Sequence, residues 1–171
     1  SALDDCFGSI LDTLRRLNIE SDTVVVFFSD HGDMLGSQGV QFKQCPWDES
    51  IRIPLLVRWP GHLLPRQVHQ LVDMVDLMPT ILSLLDIPIP ESVEGRDCTT
   101  ALRGAPRQIN ESVLLSCPRC FAYWRPPRGG REYRGLRTLK HTFVAAHEGP
   151  WLLFDNEADP FQMRNLCGDP K

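Results

Sequence analysis

Residues 23–32 read TVVVFFSDHG, a β-branched and aromatic run that ends in Asp-His-Gly. Val24, Val25, Val26, Phe27 and Phe28 put apolar side chains on both faces of an extended segment. Such a strand needs cover on both sides, which predicts an α/β architecture with this strand in a largely parallel sheet. In open α/β sheets ligands collect beyond the carboxyl ends of the strands. Asp30 and His31 therefore offer a carboxylate and an imidazole where a cation could be held. Neighbouring residues of an extended chain point to opposite sides, and Gly32 supplies the sharp bend that would bring both to one ion. The segment runs on as DMLGSQGVQFK to Lys43, whose ammonium could face an anion held on that cation. On the residues alone, Asp30 as a cap, His31 as a satisfied core residue and Lys43 as a surface lysine fit equally well.

The remaining chain alternates helical and extended patterns. Leu3, Phe7, Ile10, Leu11, Leu14 and Leu17 recur at helical spacing with Asp4, Asp12, Arg15 and Arg16 opposite, predicting an amphipathic helix before the strand. Residues 53–59 form a second buried strand, closed by Pro60-Gly61. Asp76 is placed to cap a helix over 77–85, where Pro79 falls in the tolerant first turn. Ile87-Pro88-Ile89-Pro90 stops it. A third apolar run spans 113–117, followed by a Pro/Arg/Gly loop over 124–130. Short strands over 133–139, 142–146 and 151–154 then predict an antiparallel meander.

Composition narrows the function classes. With 42% hydrophobic and 23% charged residues the chain is an ordinary folded one, and a net charge of −4 gives no footprint for nucleic acid. The arginines of 119–137, interleaved with Tyr123, Trp124 and Tyr133, read as a solvated loop. No apolar stretch is long enough to span a membrane, and no signal peptide is seen. Cys117-x-x-Cys120 is the close pair among six cysteines; without a second such pair it reads as structural or free thiols. A calcium loop at Asp155 is rejected, because Pro160 replaces the required glycine and Leu166 the bidentate acid. Asp33 reads as a loop residue bonding backbone, and Asp48, Glu49 and Arg52 as packing and salt-bridge groups. His141 and His147 receive no role.

SDHGDMLGSQG, then Lys43, then DESIRIPLLVRWPG over 48–61 resemble the sulfatases of the alkaline-phosphatase-like superfamily. The likeness extends to residues 3–32, to VDMVDLMPTILSLLDIPIP over 72–90 and to GPWLLFDNEADPFQMRNL over 149–166. It implies a metal-dependent hydrolase of sulfate esters, with Asp30 and His31 as metal ligands and Lys43 as the catalytic, substrate-binding contact to the sulfate. The implied ion is divalent: calcium first, with manganese or magnesium as alternatives. The family nucleophile is a formylglycine made from the first residue of Cys/Ser-x-Pro-x-Arg. No such motif is present: Cys45 is followed directly by Pro46, and Cys117 by Pro118.

The resemblance thus implies the C-terminal portion of the sulfatase fold. Residues 1–108 would belong to the α/β domain with its mainly parallel sheet, and 109–171 to a small antiparallel subdomain. The implied partners are a sulfate ester and the N-terminal part of the same enzyme, in a secreted, periplasmic or lysosome-like compartment. Alone, the chain is expected to be inactive. Two alternatives stay open, a phosphodiesterase or phosphonate hydrolase of the same superfamily and a non-catalytic module for binding or assembly.

Overall fold

The structure, a computed structural model, describes residues 1–105 and 108–168. The chain forms two compact units, Ser1–Ser29 with Pro54–Gln67, and Asp30–Ile53 with Val68–Lys171. This division groups residues 30–53 with the C-terminal segments rather than following chain order.

In the first unit, helix α1 spans Ala2–Arg16. The Ser1 hydroxyl accepts from the Asp4 amide at 3.3 Å, and Asp4 and Asp5 at the start and Arg15 and Arg16 at the end oppose the helix dipole. Strands β1 (Val25–Phe28) and β2 (Leu55–Arg58) pair antiparallel, with Phe27 opposite Leu56. The Phe7 ring of α1 lies 5.2 Å from that of Phe27. Glu20 ties the unit together by accepting from Arg15 Nε at 3.0 Å and Arg58 Nη2 at 2.5 Å.

The expected cover on both faces of β1 is not met within this unit, where Phe28 and Leu56 are 43% and 57% exposed. The reason is geometric: one helix against a two-stranded ribbon shields one face. For the same reason the apolar stripe of α1 is divided, with Phe7, Leu11 and Leu14 half-buried and Leu3, Ile10 and Leu17 exposed. All strand pairings among the described residues are antiparallel. Parallel neighbours for β1 are not among them.

In the second unit the apolar run of 113–117 forms β3 (Val113–Cys117) and joins the predicted meander of β4 (Tyr133–Arg137), β5 (His141–Ala146) and β6 (Gly149–Asp155), in sheet order β3-β4-β5-β6. Alternation sends Leu115, Tyr133, Val144, Leu152 and Phe154 into one core. Into that core the loop after Asp30 inserts Met34 and Cys45, both buried, with Trp47 alongside. The Trp47 ring meets Trp124 and Trp151 edge-on, at 6.2 and 5.8 Å. Trp124 thus departs from the solvated loop expected of 124–130. It is 3% exposed, and its indole donates to the Arg131 carbonyl at 2.8 Å, because so large an apolar ring is more stable in the core than in water.

Helix α3 covers Leu77–Leu84, with Pro79 in its first turn as expected. Asp76, however, does not cap it with its side chain. Its buried carboxylate accepts instead from the Asp73 amide (2.8 Å), the Arg96 amide (2.8 Å) and Asn110 Nδ2 (2.7 Å). A buried carboxylate needs several donors, and this one takes one from the capping box with Asp73 and two from distant residues. No helix among the described residues is long and apolar enough to cross a membrane.

Candidate active site

Two residues beyond the end of β1, Asp30 and His31 occupy an irregular stretch that leads into α2 (Asp48–Ile51). The two side chains converge. The Asp30 carboxylate accepts from the His31 amide through Oδ1 at 3.0 Å, and its Oδ2 lies 3.3 Å from His31 Nε2. On the other side of the ring, Nδ1 is 2.7 Å from the Gly32 carbonyl oxygen, which can only accept. Nδ1 therefore carries the proton, and Nε2 presents its lone pair. That lone pair meets the Lys43 ammonium in a short contact. All three residues singled out in the sequence come together.

Gly32 matters for a different reason from the one the sequence suggested. Its backbone is not in the left-handed region that calls for glycine. Rather, the chain presses against the backbone of α2: the Gly32 amide donates to the Ser50 carbonyl at 2.8 Å, and a Cβ on Gly32 would lie 1.9 Å from the Glu49 carbonyl oxygen. Only hydrogen fits there.

The loop that returns Lys43 to His31 is held in an unusual backbone. Leu35, Gln38, Phe42 and Gln44 all have positive φ, so Lys43 sits between two non-glycine residues in the left-handed region, at 70° and 74°. Bulky residues adopt such angles only where the surroundings impose them. Here the Phe42 ring stacks on Tyr123 at 3.9 Å, and Cys45 is fully buried in the core. Burial pushes the Cys45 thiol up to about 11, against smaller opposing effects of Ser50 and Trp47. Asp33 bonds the Leu35 amide at 2.9 Å, in line with its loop role.

The donor set fits a hard cation in kind. Asp30 Oδ2 and His31 Nε2 are two lone-pair atoms 3.3 Å apart, one oxygen and one imidazole nitrogen, and the imidazole is oriented by a backbone carbonyl on its far side. It is incomplete in number, since among the described residues no group of three or more His, Cys, Asp or Glu is placed to hold an ion. All six cysteines are unpaired thiols. Asp48 proves structural, pairing through both oxygens with Arg137 at 3.2 and 3.1 Å. Sequence reasoning gave no role to Gln162, a buried residue that bonds Asp48. A lone glutamine in an Asp-Pro turn carries no pattern that would single it out.

Comparison with known proteins identifies the family. The family model described as Sulfatase matches residues 1–87. An ulvan-active sulfatase of Formosa agariphila is 36% identical over all of this chain and 34% of its own length. Among solved structures, a Bacteroides thetaiotaomicron protein of a core genetic locus for glycosaminoglycan metabolism superposes with a TM-score of 0.84 and 31% identity, covering 98% of this chain and 38% of that one. A phosphonate monoester hydrolase from Silicibacter pomeroyi superposes with a TM-score of 0.80 and 31% identity, over 98% and 35%. The chain spans about a third of the length of the relatives it matches. On the match of the family model and the shared fold, the chain belongs to the sulfatase family and carries part of its α/β fold with a small antiparallel sheet.

Proposed function

We propose that this chain supplies the cation-binding and sulfate-binding residues at one side of the active site of a sulfate-ester hydrolase. The observation that carries this reading is the convergence of Asp30, His31 and Lys43 on one point. Asp30 Oδ2 and His31 Nε2 would hold the divalent ion, calcium first among the candidates. Bound there, such an ion would polarise the ester and help orient the nucleophile.

Lys43 contributes positive charge. An ammonium aimed at sulfate oxygens stabilises the spread negative charge of the transition state more than that of the ground state, which is the requirement for acceleration. Gly32, by accepting from His31 Nδ1 through its carbonyl, leaves Nε2 proton-free, so the lone pair that meets Lys43 would be available to the ion once it binds. The nucleophile, expected as formylglycine, has no candidate in this chain, and the reaction's covalent step needs one.

The decisive experiment compares the full-length protein with this chain alone on an aryl sulfate. Turnover by the former, lost on chelation, and none by the latter is the expected pair of results. Turnover by the pure chain, abolished by Lys43→Ala, would overturn it. The phosphonate monoester hydrolase likeness favours a second reading, in which a tetrahedral phosphorus ester takes the place of the sulfate. Relative kcat/KM on matched aryl sulfate and aryl phosphonate esters separates the two. A folded, metal-loaded full-length protein inert on both would point to a binding or assembly module.

A further inference from the structure

A single turn more than a hundred residues downstream fastens the Lys43 loop at both of its ends. On one side, Gln38 Nε2 donates to the carbonyls of Phe161 at 3.0 Å and Gln162 at 3.3 Å, and lies 3.5 Å from Met163 Sδ. On the other, the Asp48 amide donates to Gln162 Oε1 at 2.9 Å, while Gln162 Nε2 donates to Asp48 Oδ1 at 3.3 Å. Lys43 lies between these two anchors.

The turn is itself well founded. Gln162 is 1% exposed and has a φ of 54°, and its Nε2 also reaches Thr142 Oγ1 at 3.2 Å and Asn156 Oδ1 at 3.1 Å. Its Asp48 partner is further held by the two-pronged Arg137 guanidinium, with both side chains 14% exposed. A buried amide whose oxygen accepts from a backbone amide and whose two N–H groups share three acceptors is a stiff joint, because freeing it would leave polar groups unsatisfied out of water.

We infer that the Phe161-Gln162-Met163 turn is a clasp that positions Lys43, with Gln162 and Gln38 as positioning residues for the reaction. The loop needs such a device. Its own backbone has four non-glycine residues at positive φ between Leu35 and Gln44, a conformation that persists only where the surroundings hold it. Released from the clasp, the loop would relax toward ordinary angles and Lys43 would lose its place beside His31. A misplacement of about 1 Å is enough to cost on the order of 10²-fold in rate. That Lys43 serves the reaction rests on the function proposed above, whereas the clasp itself does not.

Two substitutions and two readouts test it. Cys45, fully buried two positions after Lys43, reports loop opening through its modification by iodoacetamide, mapped by peptide mass spectrometry on this chain. Gln162→Ala and the milder Gln38→Ala are each expected to speed Cys45 modification about tenfold or more through local opening. Cys6, already exposed, is expected to label at an unchanged rate. In the full-length protein, Gln38→Ala should lower kcat on an aryl sulfate about tenfold, with metal content retained and KM changed far less.

Unaltered Cys45 protection in both variants overturns the clasp. Faster Cys45 modification with wild-type kcat overturns its positioning role, since an anchor of merely structural value lowers thermal stability without changing turnover per folded molecule. Should the unsubstituted full-length protein show no sulfatase turnover, the proposed function fails, and Cys45 labelling still decides the clasp.

Discussion

His31 donates its Nδ1 proton to the Gly32 carbonyl and turns the lone pair of Nε2 toward the ammonium of Lys43. One imidazole thus links the strand end to the returning loop. A bound cation would take the same Nε2 lone pair and so would release Lys43 toward the anion, whereas Asp30 would serve the cation alone, which keeps the two roles separable by substitution.

Lys43→Ala in the full-length protein is expected to lower turnover on the order of 10²-fold, the usual loss for one preorganised electrostatic contact. Metal content and unfolding temperature should stay near wild type, because the side chain is only half-buried and takes no part in the core. Steady-state kinetics together with elemental analysis check this.

Asp30→Ala should instead lower metal occupancy and turnover together. The Asp30 side chain is 80% exposed, so its removal costs the fold little, whereas a hard cation loses one of its charged oxygens. Metal titration calorimetry on the variant would show weaker binding. Near-normal affinity with normal turnover would return Asp30 to the role of a local cap on the His31 amide.

Gly32→Ala should destabilise the protein by about 2–3 kcal/mol or more, since the new methyl meets backbone, which cannot swing aside as a flexible side chain can. Chemical denaturation reads this directly. A change within 0.5 kcal/mol would mean that α2 can retreat at little cost.

The pH profile of stability offers a further check. Burial raises the folded Cys45 thiol to about 11, above its ordinary value, so native and unfolded states bind protons alike below about pH 8.5. Between there and 11 the unfolded thiol ionises while the native one does not, and stability falls as pH rises, by roughly 2–3 kcal/mol in total. Cys45→Ala should flatten that part of the curve, measured as the difference between variant and wild type from pH 8 to 11. Parallel curves would show that Cys45 opens to solvent in the native state.

Local structure was legible wherever a short period decided it. The meander over 133–155 follows from three short strand runs and the turns between them, and β3 falls where its apolar run lies. Helix α1 follows from its apolar stripe. The meeting of Asp30, His31 and Lys43 came from the DHG segment together with its family likeness. What sequence could not convey was long-range choice among polar partners. Asp76 looked like the cap of its own helix but accepts from the local Asp73 amide and from Arg96 and Asn110 far along the chain, and Trp124 looked solvated within a Pro/Arg-rich stretch but fills the core. Arg131, from the same stretch, lies over the Trp151 ring at 4.4 Å, a use of arginine that charge patterning does not reveal. Such placements depend on which surfaces the fold brings together, and no local period encodes that.

The bonds from Gln38 to the 161–163 turn also impose an order of events during synthesis. The loop leaves the ribosome before the turn that holds it, since the carbonyl of Gln162 that Gln38 binds follows 124 residues later. At the usual ~5–20 residues per second, that interval lasts roughly 6–25 s. During that time the buried end of the loop has only its own strained backbone to hold it, so Cys45 is exposed in the nascent chain to oxidants and chaperones that the finished protein excludes.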